Sequence, residues 1–140
     1  MKYIITQSRL LYVLSIDDRK HKGLLKVGEV FVDNEVADNP DRQVLGKAVR
    51  EILDNRSYMK GVSYHVEYVE STIYDQSTKC YKADDVYRTL TSMDIPSVSL
   101  ATYKGESVDI WFRCFLAEIQ EAIRKVKNGQ GAGLGPIKFR

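Results

Sequence analysis

The sequence predicts an α+β fold: a small central antiparallel sheet built on an N-terminal hairpin, flanked by helices, with a C-terminal amphipathic helix. Three observations predict it. Leu10 to Val32, LLYVLSIDDRKHKGLLKVGEVFV, sets two aliphatic and β-branched runs around a polar, basic connection that ends in Gly23. Strand propensity on both sides of turn chemistry reads as a hairpin. Val44, Leu45, Ala48, Val49, Ile52 and Leu53 then recur at helical spacing, and Phe115, Leu116, Ile119, Ile123 and Val126 do so again near the end.

The bulk properties fit this class. At 140 residues the chain suits one domain with an ordinary core, and 44% hydrophobic with 29% charged residues is the balance of a water-soluble globular protein. No apolar run approaches the roughly 20 residues that span a bilayer, and Met1 to Arg9 turns polar too soon for a signal peptide, so a cytoplasmic protein without a membrane partner is expected. The net charge of +2 does not announce nucleic acid, but its distribution is uneven. Arg19, Lys20, His21, Lys22 and Lys26 form a basic patch, Glu29 to Asp41 carries five acids and no base, and the tail from Ala122 holds only bases. Two readings stay open: solvated surfaces that segregate, and a surface facing phosphates. Cys80 and Cys114 form no C-x-x-C pair and read as free thiols.

Taken in order, residues 1–9 make a short lead-in strand or an arm. Asp33 to Asp38 reads as a solvated loop, lacking the glycine and closing glutamate of a calcium loop. Asn39-Pro40 reads as a helix start, an N-cap followed by the residue suited to the first helical position. Arg42 and Arg50 lie two turns apart beside the apolar stripe, with Lys47 further round. Such arginines either reach a bound phosphate with their planar fork or snorkel at the surface. Gly46, costing about 1 kcal/mol in a helix, suggests close packing there.

Tyr64 to Tyr74 alternates as a half-buried strand, with Tyr64, Val66 and Tyr68 on one side, His65 and Glu67 on the other, and a phase change after Tyr68. Asp75 to Lys79 is turn-like. A helix is expected from about Asp84, with Val86, Leu90 and Met93 on its inner side and Asp84 and Asp85 favoured at its positive end. Ser97–Tyr103 and Val108–Phe112 read as a small hairpin around Lys104-Gly105. The last helix begins near Arg113, its end matched by Arg124, Lys125 and Lys127 and stopped at Asn128-Gly129. Residues 1–128 therefore form one domain, and 129–140 a glycine-rich linker toward a further domain. That glycine run lacks the strand, helix and Gly-Lys-Ser/Thr ending of a phosphate loop.

With these residues in place, the chain resembles a GIY-YIG nuclease domain over roughly Leu10 to Phe112, nearest to the branch whose second motif reads Lys-Ile-Gly. Leu11-Tyr12-Val13 stands for the first motif and Lys26-Val27-Gly28 for the second. The helix from Asn39, the strand at Tyr64, the segment Tyr81 to Leu90 and an Ile110-Trp111-Phe112 close follow in the family's order. The resemblance implies cleavage of DNA phosphodiesters with one divalent metal, Mg2+ or Mn2+. Tyr12 would help activate water, with Lys26 replacing the second motif's tyrosine. Arg50, or else Arg42, would stabilise the phosphoryl charge, and Asp84 or Asp85 would hold the metal. Arg19, Lys20 and Lys22 would contact phosphates, and Gly28 is the motif glycine. Ala83 falls at the family's carboxylate position. A module of the same fold that binds DNA or docks a protein without catalysis is therefore the alternative. Such domains also precede helicase cores in bacterial restriction and repair proteins, so a downstream helicase domain in the same full-length chain is the implied partner.

Overall fold

The computed structural model describes residues 7–76, 78–101 and 108–131. Its centre is the hairpin of β1 (Gln7–Ile16) and β2 (Leu24–Asp33), paired antiparallel with Tyr12 opposite Gly28 and Val13 opposite Val27. β3 (Tyr64–Ser71) adds to the free side of β1, while β7 (Val108–Arg113) joins β2 and carries β6 (Ser97–Ala101) outside it. The antiparallel sheet thus runs β3-β1-β2-β7-β6. A separate two-stranded piece pairs β4 (Ile73–Tyr74) with β5 (Lys79–Cys80), and Asp75 and Gln76 between them adopt positive φ.

Because side chains alternate along a strand, β1 feeds two cores. Leu10, Tyr12 and Leu14 pack with Val30 and Val32 against α1 (Asn34–Ala37) and α2 (Arg42–Asp54). Leu11 and Val13 pack with Val27 and Phe112 against α3 (Ala83–Ser92) and α4 (Leu116–Lys127). The sheet is therefore the middle of three layers. Burying each such aliphatic side chain contributes roughly 1.5–3 kcal/mol.

Several boundaries differ from the sequence expectation, each for a local reason. Val36 and Ala37 belong to a single helical turn, α1, where a loop is expected; Ala37 is buried, and Ser8 Oγ donates to Asn34 Oδ1. α2 starts at Arg42 because Asp41 caps it by accepting from the Gln43 N–H at 2.9 Å, while Asn39 Oδ1 takes the Asp41 N–H in a turn of its own. Val44 is 41% exposed, so the inner stripe is Leu45, Val49 and Leu53 with Ala48 and Ile52 beside them. A Cβ at Gly46 would meet only Val69 Cγ1 at 4.0 Å, which is ordinary contact and not the close packing expected.

In β3 the phase change comes one step early. Val13 faces Tyr68 but Leu14 faces Val66, so Glu67 is the extra residue of a bulge. Tyr64 and Val66 join the α2 core, whereas Tyr68 turns to the α3–α4 core. α4 begins three residues later than expected, with Phe115 as its N-cap and 80% exposed, and the Glu118 carboxylate accepts from the Phe115 N–H at 2.9 Å.

One polar cluster seals α4 to the sheet. Buried Glu70 accepts from the Tyr68 hydroxyl at 2.5 Å, the Tyr81 hydroxyl at 2.5 Å and Lys127 Nζ at 2.7 Å. Burial pushes the Glu70 carboxyl up, but the bonds from Lys127, Tyr68 and Tyr81 outweigh it and hold it below the usual carboxylate range. Burial, followed by the Glu70 charge, raises the Tyr81 phenol far above its ordinary value, so it stays a donor. Both cysteines are free; Cys80 is exposed, and burial lifts the Cys114 thiol to about 11. Residues 1–6, the Lys104-Gly105 turn and the linker from 132 lie outside the described residues. No described helix is long and apolar enough to cross a membrane.

Candidate nucleic-acid interface

The two motif segments meet on the α2 face of the sheet. Their register sets Tyr12 opposite Gly28, and the tyrosine ring lies so closely over the glycine that an added Cβ would collide with it. Only glycine fits under that ring. Tyr12 itself is 2% exposed, enclosed in the core with Leu45 and Val49. Lys26, two residues before Gly28 and on the same face, is ion-paired with Asp109 at 3.1 Å.

The helix arginines lie further out. Arg42 and Arg50 are exposed on α2, eight residues apart and so just over two turns apart, about 80° from one another around the axis. The Arg42 guanidinium stacks 4.6 Å from the Tyr68 ring centre, reaching to the edge strand β3, and Arg50 sits 5.6 Å from the Tyr64 ring. Tyr64 donates to Asp54 Oδ1 at 2.6 Å, and burial with that carboxylate lifts its pKa to about 12. Burial and Glu70 lift Tyr68 likewise to about 12. Both phenols are thus neutral platforms under the arginines. With Lys47 these residues line a groove of about 540 Å³ between α2 and β3, in which Glu67 is the acid. Among the described residues, no carboxylate forms an ion pair with Arg42, Lys47 or Arg50.

The connection between β1 and β2 is shaped by Asp18. Its Oδ1 accepts from the His21 backbone N–H at 2.8 Å and from His21 Nδ1–H at 2.7 Å, and the ring's hydrogen bond holds the Asp18 carboxyl below its usual range. Gly23, at φ 74°, closes the turn. Arg19, Lys20 and Lys22 remain exposed. Arg19 and Lys22 line a second groove of about 580 Å³ together with His65 and Glu67. Glu67, the bulge residue, borders both grooves, so the two basic surfaces adjoin along the β3 edge.

Asp84 and Asp85 lie on the other side of the sheet. They open α3, whose Ala83, Val86 and Leu90 pack with Leu11, Val13 and α4. Asp85 accepts from the Lys82 N–H at 2.9 Å as a helix cap and pairs with Arg88 at 3.0 Å; Asp84 pairs with the same guanidinium at 3.2 Å. The structure therefore brings together Tyr12, Lys26 and Gly28, places Arg42 and Arg50 on the helix over that face, and does not bring the aspartates to them. Nor do the aspartates fit a divalent cation: both are engaged by Arg88, and among the described residues no three His, Cys, Asp or Glu side chains are grouped to hold an ion.

Tyr64 and Tyr68 are the residues under the arginines that strand patterning reads only as structure. The signal available was their position four residues apart on a strand following an arginine-bearing helix, a basic-aromatic interleaving. Comparison of the chain with protein-family models, curated proteins and solved structures returns no match.

Proposed function

We propose that the domain holds the phosphate backbone of DNA along its β3 edge and does not hydrolyse it. The observation that carries this reading is the α2–β3 groove, where Arg42, Lys47 and Arg50 form no ion pair with a carboxylate among the described residues and two of them rest on neutral tyrosine rings. Stacking orients the planar guanidinium forks, so less freedom is lost when they bind phosphate oxygens. The adjoining turn adds Arg19 and Lys22, with Lys20 beside them. The non-hydrolytic part is supported by the sheet lying between Tyr12 and the Asp84–Asp85 pair, and by the burial of Tyr12. On this reading the module positions DNA for a helicase core downstream in the same full-length protein, as the GIY-YIG resemblance implies.

Fluorescence anisotropy of a labelled DNA duplex over a salt series tests the binding. Log affinity is expected to fall linearly with log salt, with a slope of about −3 to −5 at roughly 0.9 per phosphate contact. Arg42→Ala with Arg50→Ala should weaken binding at least tenfold and flatten that slope by about 2. Salt-independent affinity, or no effect of the double substitution, overturns it. Plasmid nicking with Mg2+ or Mn2+ tests the rest: cleavage abolished by Tyr12→Phe would restore the metal-dependent nuclease reading.

A further inference from the structure

Behind the basic turn lies a partly open cavity of about 170 Å³ on the α2 face of the sheet, sharing Ile16, Asp18 and His21 with the second groove. Leu14, Met59 and Val62 make its apolar walls, and Trp111, 2% exposed and the chain's sole tryptophan, supplies an aromatic one. Three segments far apart in sequence bring polar groups to it. Lys26 from β2 and Asp109 from β7 form a 3.1 Å pair, and His21, fixed by Asp18, sets its ring 4.6 Å from that of Trp111. The Lys26 and His21 side chains are each only 11% exposed. A cavity with so few, convergent polar groups among apolar walls is the usual form of a small-ligand site.

The geometry points to a ligand class: a pyrimidine with an amide edge, uracil or thymine. An apolar void of about 150 Å³ holds one benzene ring, so this one holds a single six-membered ring with its substituents. Trp111 offers a face or edge to a flat ring. The Lys26–Asp109 pair presents one donor beside one acceptor, the complement of a neighbouring C=O and N–H on the ring. With the sugar-bearing N1 toward the turn, the deeper Lys26 (side chain 11% exposed against 26% for Asp109) meets the C4 substituent, a carbonyl acceptor in uracil and thymine and an amino donor in cytosine. Arg19, Lys20 and Lys22 stand on the turn that covers the cavity, where the phosphate of a strand-borne nucleotide would lie. The ring can come from a free nucleoside or from an unstacked base of a bound strand; the latter source rests on the DNA-binding reading above, the former does not.

The test uses Trp111 emission. Thymidine should quench it saturably, with affinity at least tenfold above that of cytidine, and Asp109→Asn should remove the preference. Ala101→Phe, at an exposed position on the cavity rim, should abolish thymidine binding with an unchanged melting temperature. If oligothymidylate also quenches and loses affinity in Ala101→Phe, the base is strand-borne; if only thymidine responds, the ligand is the free nucleoside. Quenching by neither, or equal quenching by cytidine, overturns the assignment. Salt-dependent DNA anisotropy that persists without any nucleoside response would leave the backbone reading standing while this one fails. A thymidine response without DNA affinity would do the reverse.

Discussion

The two faces of the sheet are covered by helices of similar length but closed in different ways. On the α3–α4 face, the apolar layer is locked by a buried carboxylate, with Glu70 receiving two phenols and a lysine, and by Tyr87, whose hydroxyl donates to the Val27 carbonyl. The α2 face has a comparable apolar core, yet its margins are a groove and a partly open cavity, and its arginines rest on rings with no ion pair to a carboxylate among the described residues. Polar groups on the first face are spent on one another. The arginines on the second are oriented by their rings and left accessible, which is what recognition of a ligand requires.

The sharpest way to break this contrast is to remove the lock. Glu70→Ala should cost on the order of 3 kcal/mol, since it strands the buried Tyr81 hydroxyl and the Lys127 charge, and should lower the melting temperature by roughly 10 °C. The sign of its pH dependence follows from the depressed carboxyl. Its stabilisation is present above the ordinary carboxylate pKa, and is lost as pH falls through that value toward the folded one. Urea unfolding at successive pH values from 7 to 3 should therefore show a steeper acid loss in the native protein than in Glu70→Gln.

Gly28→Ala probes the tightest point of the other face. A methyl driven into the Tyr12 ring should cost about 1–3 kcal/mol, and Tyr12→Leu should relieve part of it, giving a coupling energy of more than about 0.5 kcal/mol in a double-mutant cycle. Additive losses would mean that this face is loose even beneath Tyr12. The smallest effect has the opposite sign. Gly46→Ala, with ordinary contact available for its Cβ, should stabilise by up to about 1 kcal/mol in urea unfolding. A loss there would show the α2–β3 groove to be more closed than the Gly46 contact implies.

What can be read in the sequence follows the range of the interactions involved. The hairpin and the helices are legible because periodicity and turn chemistry act between near neighbours; Tyr12 opposite Gly28 and the basic turn come with them. Helix starts are less so: Asn39 and Asp41 both suit a cap, and only the turn that Asn39 makes with the Asp41 N–H decides between them. The relation of the site residues is not legible at all. Whether Asp84 and Asp85 face Tyr12 depends on which side of the sheet α3 docks, and both sides offer β1 an apolar row. Asp109 pairs with Lys26 only because β7 joins β2 after more than 80 intervening residues, a pairing that leaves no local pattern.

The bulge at Glu67 gears the two faces together. Before it, β3 gives Tyr64 and Val66 to one layer; after it, Tyr68 and Glu70 serve the other. Pairing Glu67 opposite Val13 instead, with the Tyr64 end kept in register, would turn Glu70 toward the apolar α2 core and Val69 away from it. Lys127 and Tyr81 would then lose their common acceptor, although no side chain of α3 or α4 had been altered. A single unpaired position thus acts as a phase setter for the whole sandwich: the pairing at this point, rather than residue type, decides which layer receives the charge.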